Sequence, residues 1–210
     1  MIVHEKVLDK VTAFITRETA NGRELLYLRH PLAGIQLPAG TVEDGESPEL
    51  AVRRETEEET GLQNVSIAAY LGRLTLTLPP DERVLLRDSP LSSMPATDAT
   101  LVRGGMQRGE LLKVLDEQGN YLRVHYRKVI IRDGETKEFN RKGWLASEVV
   151  TNQIVRHLFH LQVVGECRDS WTQRSDHNFE FGLFWSPIDV DPGLHPAQQE
   201  WMVAARKAGL

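Results

Sequence analysis

Cysteine is almost missing from this chain of 210 residues, Cys167 being the only one. A single thiol excludes an internal disulfide and any multi-cysteine metal site, and it fits a reducing cytoplasm, the expected location. Cys167 itself is expected to be a buried, inert thiol. Positive charge is not in excess either. Lys and Arg total 25 against 30 Asp and Glu, a net charge of -5, which removes the global electrostatic case for nucleic acid or an anionic membrane as partner. No apolar run approaches the roughly 20 residues of a membrane span. The opening stretch from Met1 to Phe14 lacks the basic and apolar regions of a secretory signal, so none is expected. What is present is ordinary globular composition, 40% hydrophobic and 26% charged, enough for one sizeable core or two small ones.

Along the chain, Val11 to Glu18 alternates as a half-buried strand does, Asn21-Gly22 signals a turn, and Glu24 to Leu28 resumes an apolar run. A hairpin is expected there. The loop Gln36-Leu37-Pro38-Ala39-Gly40 leads to a helix from Pro48 to Thr60, with Ser47 as N-cap, Pro48 at the first helical position and Gly61 as terminator. Val65 to Leu78 predicts one or two strands, stopped by Pro79 and Pro80. The composition then changes: Arg87 to Thr100 is rich in Ser, Pro, Ala, Thr and Asp and reads as a linker or long surface loop. Leu111 to Leu115 and Tyr121 to Tyr126 flank the hairpin signal Gly119-Asn120, and Val129 to Ile131 and Gly143 to Val150 add two short strands. Residues 82–151 hold 12 basic and 10 acidic residues, a net +2, whereas the rest holds 13 and 20, a net -7. The sign change supports a separate all-β module at 82–151, inserted into a core made of 1–81 and 152–210. His157 to Val164 and Phe179 to Trp185 predict further strands. Pro196 to Ala208 predicts a closing helix with Gln198, Trp201, Met202 and Ala205 on its core face.

The chemistry is concentrated after Gly40. Five residues separate Gly40 from Glu46, and seven more lead to Arg54-Glu55-Thr56-Glu57-Glu58-Glu59-Thr60-Gly61-Leu62. On a helix Glu55, Glu58 and Glu59 stand at i, i+3 and i+4, so three carboxylates share one face within a turn. Such a patch is either a solvated face or a site that gathers a cation. Hard divalent ions take carboxylate and carbonyl oxygens, and Mg²⁺ in particular also accepts phosphate oxygens.

The spacing decides between these. It resembles the signature of the Nudix hydrolase family, which has Gly, five residues, Glu, seven residues, Arg-Glu, an aliphatic, any residue, Glu-Glu, any residue, Gly, aliphatic. All seven fixed positions match, at Gly40, Glu46, Arg54, Glu55, Glu58, Glu59 and Gly61; a chance match is on the order of one in a million from average residue usage. Leu62 fills the final aliphatic position, and Leu37-Pro38-Ala39-Gly40 is similar to the family's approach loop. The departure is Thr56 at an aliphatic position, whose hydroxyl needs a partner. The resemblance implies an α/β fold, the Nudix α/β/α sandwich with a mixed sheet. It also implies a Mg²⁺ or Mn²⁺ site held by Glu55, Glu58, Glu59 and the Gly40 carbonyl, with Arg54 and Glu46 paired to brace the helix. The implied catalytic residues are Arg54, Glu55 and Glu58. The implied reaction is attack of water on a phosphorus of a nucleoside diphosphate linked to another group. The proton acceptor is left open among Glu55, Glu166, Asp176 and Glu180. The proline that ADP-ribose hydrolases of the family often carry past the box is replaced by Leu76 and Thr77, and no coenzyme A signature is present. The alternative is a binding protein, a Nudix scaffold that senses a nucleotide without turning it over.

The insert, with Arg108 to Val114, Tyr121 to Val124 and Gly143-Trp144-Leu145, resembles bacterial SH3-like domains. That resemblance implies a peptide or protein partner; an insert can equally cap the active site or form a homodimer interface. Arg127, Lys128, Arg132, Lys137, Arg141 and Lys142 make a locally basic stretch, read as a solvated face or a contact for substrate phosphate. His157 and His160, three apart in a strand, fall on opposite faces, which argues against zinc. Trp171, Phe179, Phe181, Phe184 and Trp185 are core candidates, one of which could stack on a nucleobase.

Overall fold

The structure is a computed structural model that describes residues 6–132, 135–174 and 179–210. The chain divides into two compact units: Asp9–Leu74 with Arg156–Leu210, and the segment up to Leu8 with Thr75–Val155.

The first unit is built on one sheet. Its strands are β1 (Leu8–Thr19), β2 (Gly22–His30), β3 (Gly34–Gln36), β4 (Ala39–Thr41), β5 (Val65–Thr77), β13 (Gln153–Val163), β14 (Ser170–Arg174) and β15 (Glu180–Pro187). The order is β14-β15-β2-β1-β13-β5, with β3 on β2 and β4 on β1. β1 and β2 form the expected hairpin, Thr16 opposite Leu25, and Gly22 supplies the positive φ of 111° that the turn requires. Alternation along β1 sends residues to both sides. Val11, Ala13 and Ile15 pack with Ala51 and Val52 of helix α1 (Pro48–Thr60), while Phe14 packs with Met202 and Ala205 of helix α2 (Pro196–Lys207). One helix therefore covers each face, a layered α/β/α arrangement.

Helix α1 begins and ends where its sequence says it should. The Ser47 side chain accepts from Leu50 N, Pro48 opens the first turn, and Gly61 closes it in the left-handed region with its N–H bonded to the Glu57 carbonyl. Thr56 is fully buried, and its Oγ1 donates to the Val52 carbonyl at 2.7 Å. The hydroxyl at the aliphatic position is thus satisfied within the helix.

Among its described residues the second unit is all β apart from a 3-10 turn at Ser147–Val149. It contains β6 (Glu82–Leu85), β7 (Ser89–Ser92), β8 (Leu101–Met106), β9 (Leu111–Gln118), β10 (Tyr121–Arg132), β11 (Glu135–Ala146) and β12 (Val150–Thr151), in the sheet order β12-β6-β9-β10-β11-β7-β8. Its limits are wider than the expected 82–151 because Leu8, Leu78, Val84 and Ile154 share one apolar cluster. The chain's departure and return are adjacent, with Leu78 N bonded to the Asn152 carbonyl at 2.7 Å.

Two expectations need correction here. The segment Arg87 to Thr100, read as a linker, contains β7, whose Leu91 is fully buried. Gly143 makes room for it: a Cβ there would lie 2.8 Å from the Leu91 Cβ. The short strand expected at Val129 to Ile131 belongs to the 12-residue strand β10, paired with the 12-residue β11, and the one expected at Gly143 to Val150 is divided among the end of β11, the 3-10 turn and the start of β12. β11 escapes an apolar-pattern reading because Lys137, Glu138 and Asn140 are exposed and carry no hydrophobic alternation.

Candidate functional site

Strand β4 and helix α1 bring the box residues together in the first unit. β4 pairs with β1, Lys10 opposite Thr41, Val11 opposite Gly40 and Thr12 opposite Ala39. The Glu55 carboxylate lies directly over Gly40, so closely that a Cβ at Gly40 would sit 1.8 Å from Glu55 Cδ. Only glycine fits.

Arg54 organises the acids. Its Nε and Nη2 form a two-pronged pair with Glu46 at 3.0 and 2.9 Å, the bracing pair expected from the resemblance. Nη1 donates to Glu55 Oε1 and to Glu58 Oε2, both at 3.0 Å, and Nη2 donates to the Thr41 carbonyl at 3.0 Å. One guanidinium thereby neutralises the mutual repulsion of the carboxylates at i and i+3 and ties the helix to β4. Glu55 Oε1 also accepts from Thr41 N at 3.1 Å, and Glu59 Oε2 accepts from Ala39 N at 2.8 Å. Glu55 and Glu46 side chains are 14% exposed and Glu58 39%. The Arg54 hydrogen bonds hold the Glu46 carboxyl below the usual range, whereas burial pushes Glu55 up despite its pair with Arg54. Glu57, one face away, is exposed and accepts from Gln63 Nε2 at 2.6 Å.

The donor chemistry fits a hard divalent ion: oxygen atoms only, on a helix face set against a glycine that leaves the carboxylate its room. Among the described residues no three His, Cys, Asp or Glu side chains converge on one ion-sized point, since Glu55 and Glu58 are turned to Arg54 and Glu59 to Ala39 N.

The remaining candidates are dispersed. Glu166 is exposed on the rim of a recess of about 380 Å³ at the C-terminal end of α1, shared with Thr60, Gly61, Leu62, Trp171 and Gln173. Glu180 is exposed at the start of β15, and Asp176 lies outside the described residues. Trp171 Nε1 donates to the Thr60 carbonyl at 2.7 Å, so this ring anchors the helix end. His157 bonds Asp9 at 2.9 Å and Tyr70 at 3.0 Å, and His160 bonds Thr16 Oγ1 at 2.8 Å; each has a structural partner. Cys167 is half-buried rather than buried, with Arg17 Nη1 at 3.7 Å from its sulfur.

Sequence reasoning missed two cations. Lys10 on β1 and Arg156 on β13 are half-buried in the same unit as the glutamates, and burial pushes them down to about 8 and about 9. The signal was available in part: Arg156 interrupts the apolar run Ile154, Val155, Leu158, Phe159. Trp201 packs against the core cluster as expected, and its ring also covers Arg156, whose guanidinium carbon lies 3.7 Å from the ring centroid. Gln198, placed on the same helical face, is buried and its Oε1 accepts from Leu37 N at 2.7 Å, fixing the approach loop.

The first unit is thus an α/β protein with an arginine-braced acidic site on a loop and helix. Residues 8–93 match the family model described as NUDIX domain. The plant protein Nudix hydrolase 26, chloroplastic, of Arabidopsis thaliana is 32% identical over 124 residues, 57% of this chain and 50% of that protein. This chain therefore spans about half the length of the curated relative it matches. Among solved structures, an Ap4A hydrolase from C. elegans gives a TM-score of 0.40 at 15% identity, over 97% of this chain and 98% of that one. A MutT protein from Methanosarcina mazei Go1 gives 0.44 at 14% identity, over 98% and 95%. Residues 8–93 are thus similar to a NUDIX domain, and a Nudix hydrolase is among the proteins this chain resembles. Nudix hydrolases generally use divalent metal ions. No helix among the described residues is long and apolar enough to cross a membrane.

Proposed function

We propose that this protein hydrolyses a phosphoanhydride bond of a nucleoside diphosphate linked to another group, with Mg²⁺ or Mn²⁺ as cofactor. The observation that carries the reading is the Glu55 carboxylate held over Gly40 and tied by Arg54 to Glu58 and Glu46. Glu55, Glu58, Glu59 and the Gly40 carbonyl would hold the ion. When bound, it supplies neutralisation of the charge that grows on the phosphoryl oxygens and a more acidic water. Arg54 fixes the rotamers of Glu55 and Glu58, so the carboxylates meet the reacting group already oriented. Water attacks phosphorus, the bond to the bridging oxygen breaks, and the leaving phosphate departs with that electron pair. Glu55, held over Gly40 and oriented by Arg54 and Thr41 N, is the carboxylate assigned to accept the proton from water. Glu166 and Glu180, both exposed, rank behind it.

For residues 82–151 we keep the SH3-like reading, supported by Gly143-Trp144 and by a compact all-β sheet, with a peptide or a second copy of the chain as partner.

The test is incubation of the purified chain with a panel of nucleoside diphosphate derivatives and either ion. Release of a nucleoside phosphate that is abolished in Glu59→Gln supports the hydrolase. Tight nucleotide binding without turnover overturns it in favour of a sensor.

A further inference from the structure

Lys10 and Arg156 are an unusual pair to find enclosed together. Lys10 stands on β1 directly opposite Thr41, next to Gly40, and shares with Thr12 the sheet face opposite to Val11, the face that α2 covers. β13 lies beside β1. From it Arg156 reaches over, its Nη1 donating to the Val11 carbonyl at 3.1 Å and to Thr12 Oγ1 at 3.0 Å while Trp201 covers the guanidinium. These contacts fix the plane of the guanidinium but use one of its three nitrogens. Among the described residues Nε and Nη2 of Arg156 make no hydrogen bond, and Lys10 makes no hydrogen bond or ion pair at all. The two cations repel each other, and the acids whose fields reach them are Glu55 for Lys10 and Glu59 for Arg156.

Two half-buried like charges with donors left over cost stability and do nothing for the core. The arrangement makes sense with an anion between them. A planar fork of N–H donors together with an ammonium suits a tetrahedral anion with several oxygens. A carboxylate from the protein would have been a simpler neutraliser, yet neither cation has one within 4.0 Å among the described residues. We infer that Lys10 and Arg156 form a subsite for the non-reacting phosphate of the substrate, next to the box glutamates, with Trp201 and Thr12 holding Arg156 in position. Naming the anion as a substrate phosphate rests on the hydrolase reading; the existence of an anion site does not. The lowered proton affinity of both groups, caused by burial, is what an anion there would relieve.

The experiment is calorimetric titration of the full chain with inorganic pyrophosphate, with and without Mg²⁺, for wild type, Lys10→Met, Arg156→Lys and the control Arg127→Met in the β unit. Arg156→Lys keeps the charge and removes the fork. Wild type and the control are expected to bind in at least one condition, with Lys10→Met weaker by roughly tenfold or more and Arg156→Lys by several-fold. On any substrate that is hydrolysed, KM rises by a similar factor while kcat changes little, a split that a purely structural role does not produce. Thermal unfolding of each variant confirms that it is folded. Wild type that binds no pyrophosphate in either condition overturns the subsite, and so does equal binding by Lys10→Met. Hydrolysis with an unchanged KM in both variants removes the subsite and leaves the hydrolase reading standing. Pyrophosphate binding lost in the variants, without hydrolysis of any substrate, does the reverse.

Discussion

The two units place their charges in opposite ways. In the β unit the ion pairs sit in water: Arg87 with Glu148 is 59% and 64% exposed, Lys113 with Asp81 62% and 53%, and Arg127 with Glu138 64% and 43%. In the unit that carries helix α1, Arg54, Glu46 and Glu55 are 25%, 14% and 14% exposed, and Lys10 and Arg156 are half-buried. Exposed pairs contribute little because water screens them, whereas enclosed charges are costly and persist where something needs their field. The pair Lys128 with Glu110, joined by the Tyr126 hydroxyl, is the β unit's nearest approach to the second pattern. There the partners neutralise each other.

The contrast is broken most severely at Arg54. Arg54→Met leaves Glu46 and Glu55 without their cation, and chemical denaturation should show a loss of about 2–4 kcal/mol, together with activity. Next comes Gly40→Ala. The added methyl displaces the Glu55 carboxylate from Thr41 N and Arg54, so hydrolysis should fall by about 100-fold or more with a stability loss of only about 1–2 kcal/mol. Lys10→Met should act in the other direction. Burial holds the Lys10 ammonium at about 8 against an ordinary 10.5, so the unfolded chain binds that proton more tightly. Wild-type stability therefore gains as pH rises from about 8 to 10.5. Lys10→Met should lack that gain and be more stable at neutral pH, by no more than about 2 kcal/mol after solvent screening, while binding pyrophosphate less well. Denaturant midpoints measured across this pH range check it. Arg127→Ala marks the small end. Its exposed pair should be worth under about 0.5 kcal/mol, and a larger loss would erase the distinction between the units.

Much of this site was legible in the residues, and the reason is local. Ser47, Pro48 and Gly61 fix the helix ends through chemistry that acts within one turn, and the i, i+3, i+4 spacing of Glu55, Glu58 and Glu59 fixes their common face. The Thr56 hydroxyl solves its own problem four residues back. What stayed hidden depends on partners far along the chain. Arg156 meets Thr12 and Trp201 across 144 and 45 positions of sequence, and no periodicity predicts that encounter. β7 was concealed because a Ser- and Pro-rich segment becomes a strand only when Gly143 lets Leu91 into the core. The wider limits of the β unit follow likewise from a cluster that joins Leu8 to Leu78, Val84 and Ile154.

Hydrolysis by this chain requires the oxygen donors of α1 and β4 to take up a divalent ion. Calorimetric titration of Mg²⁺ and Mn²⁺ into the chain, alone and with a non-hydrolysable nucleoside diphosphate analogue, tests this most directly. Uptake that Glu59→Gln weakens by about tenfold or more is the predicted result. No uptake of either ion under either condition, or uptake indifferent to Glu59→Gln, would contradict it.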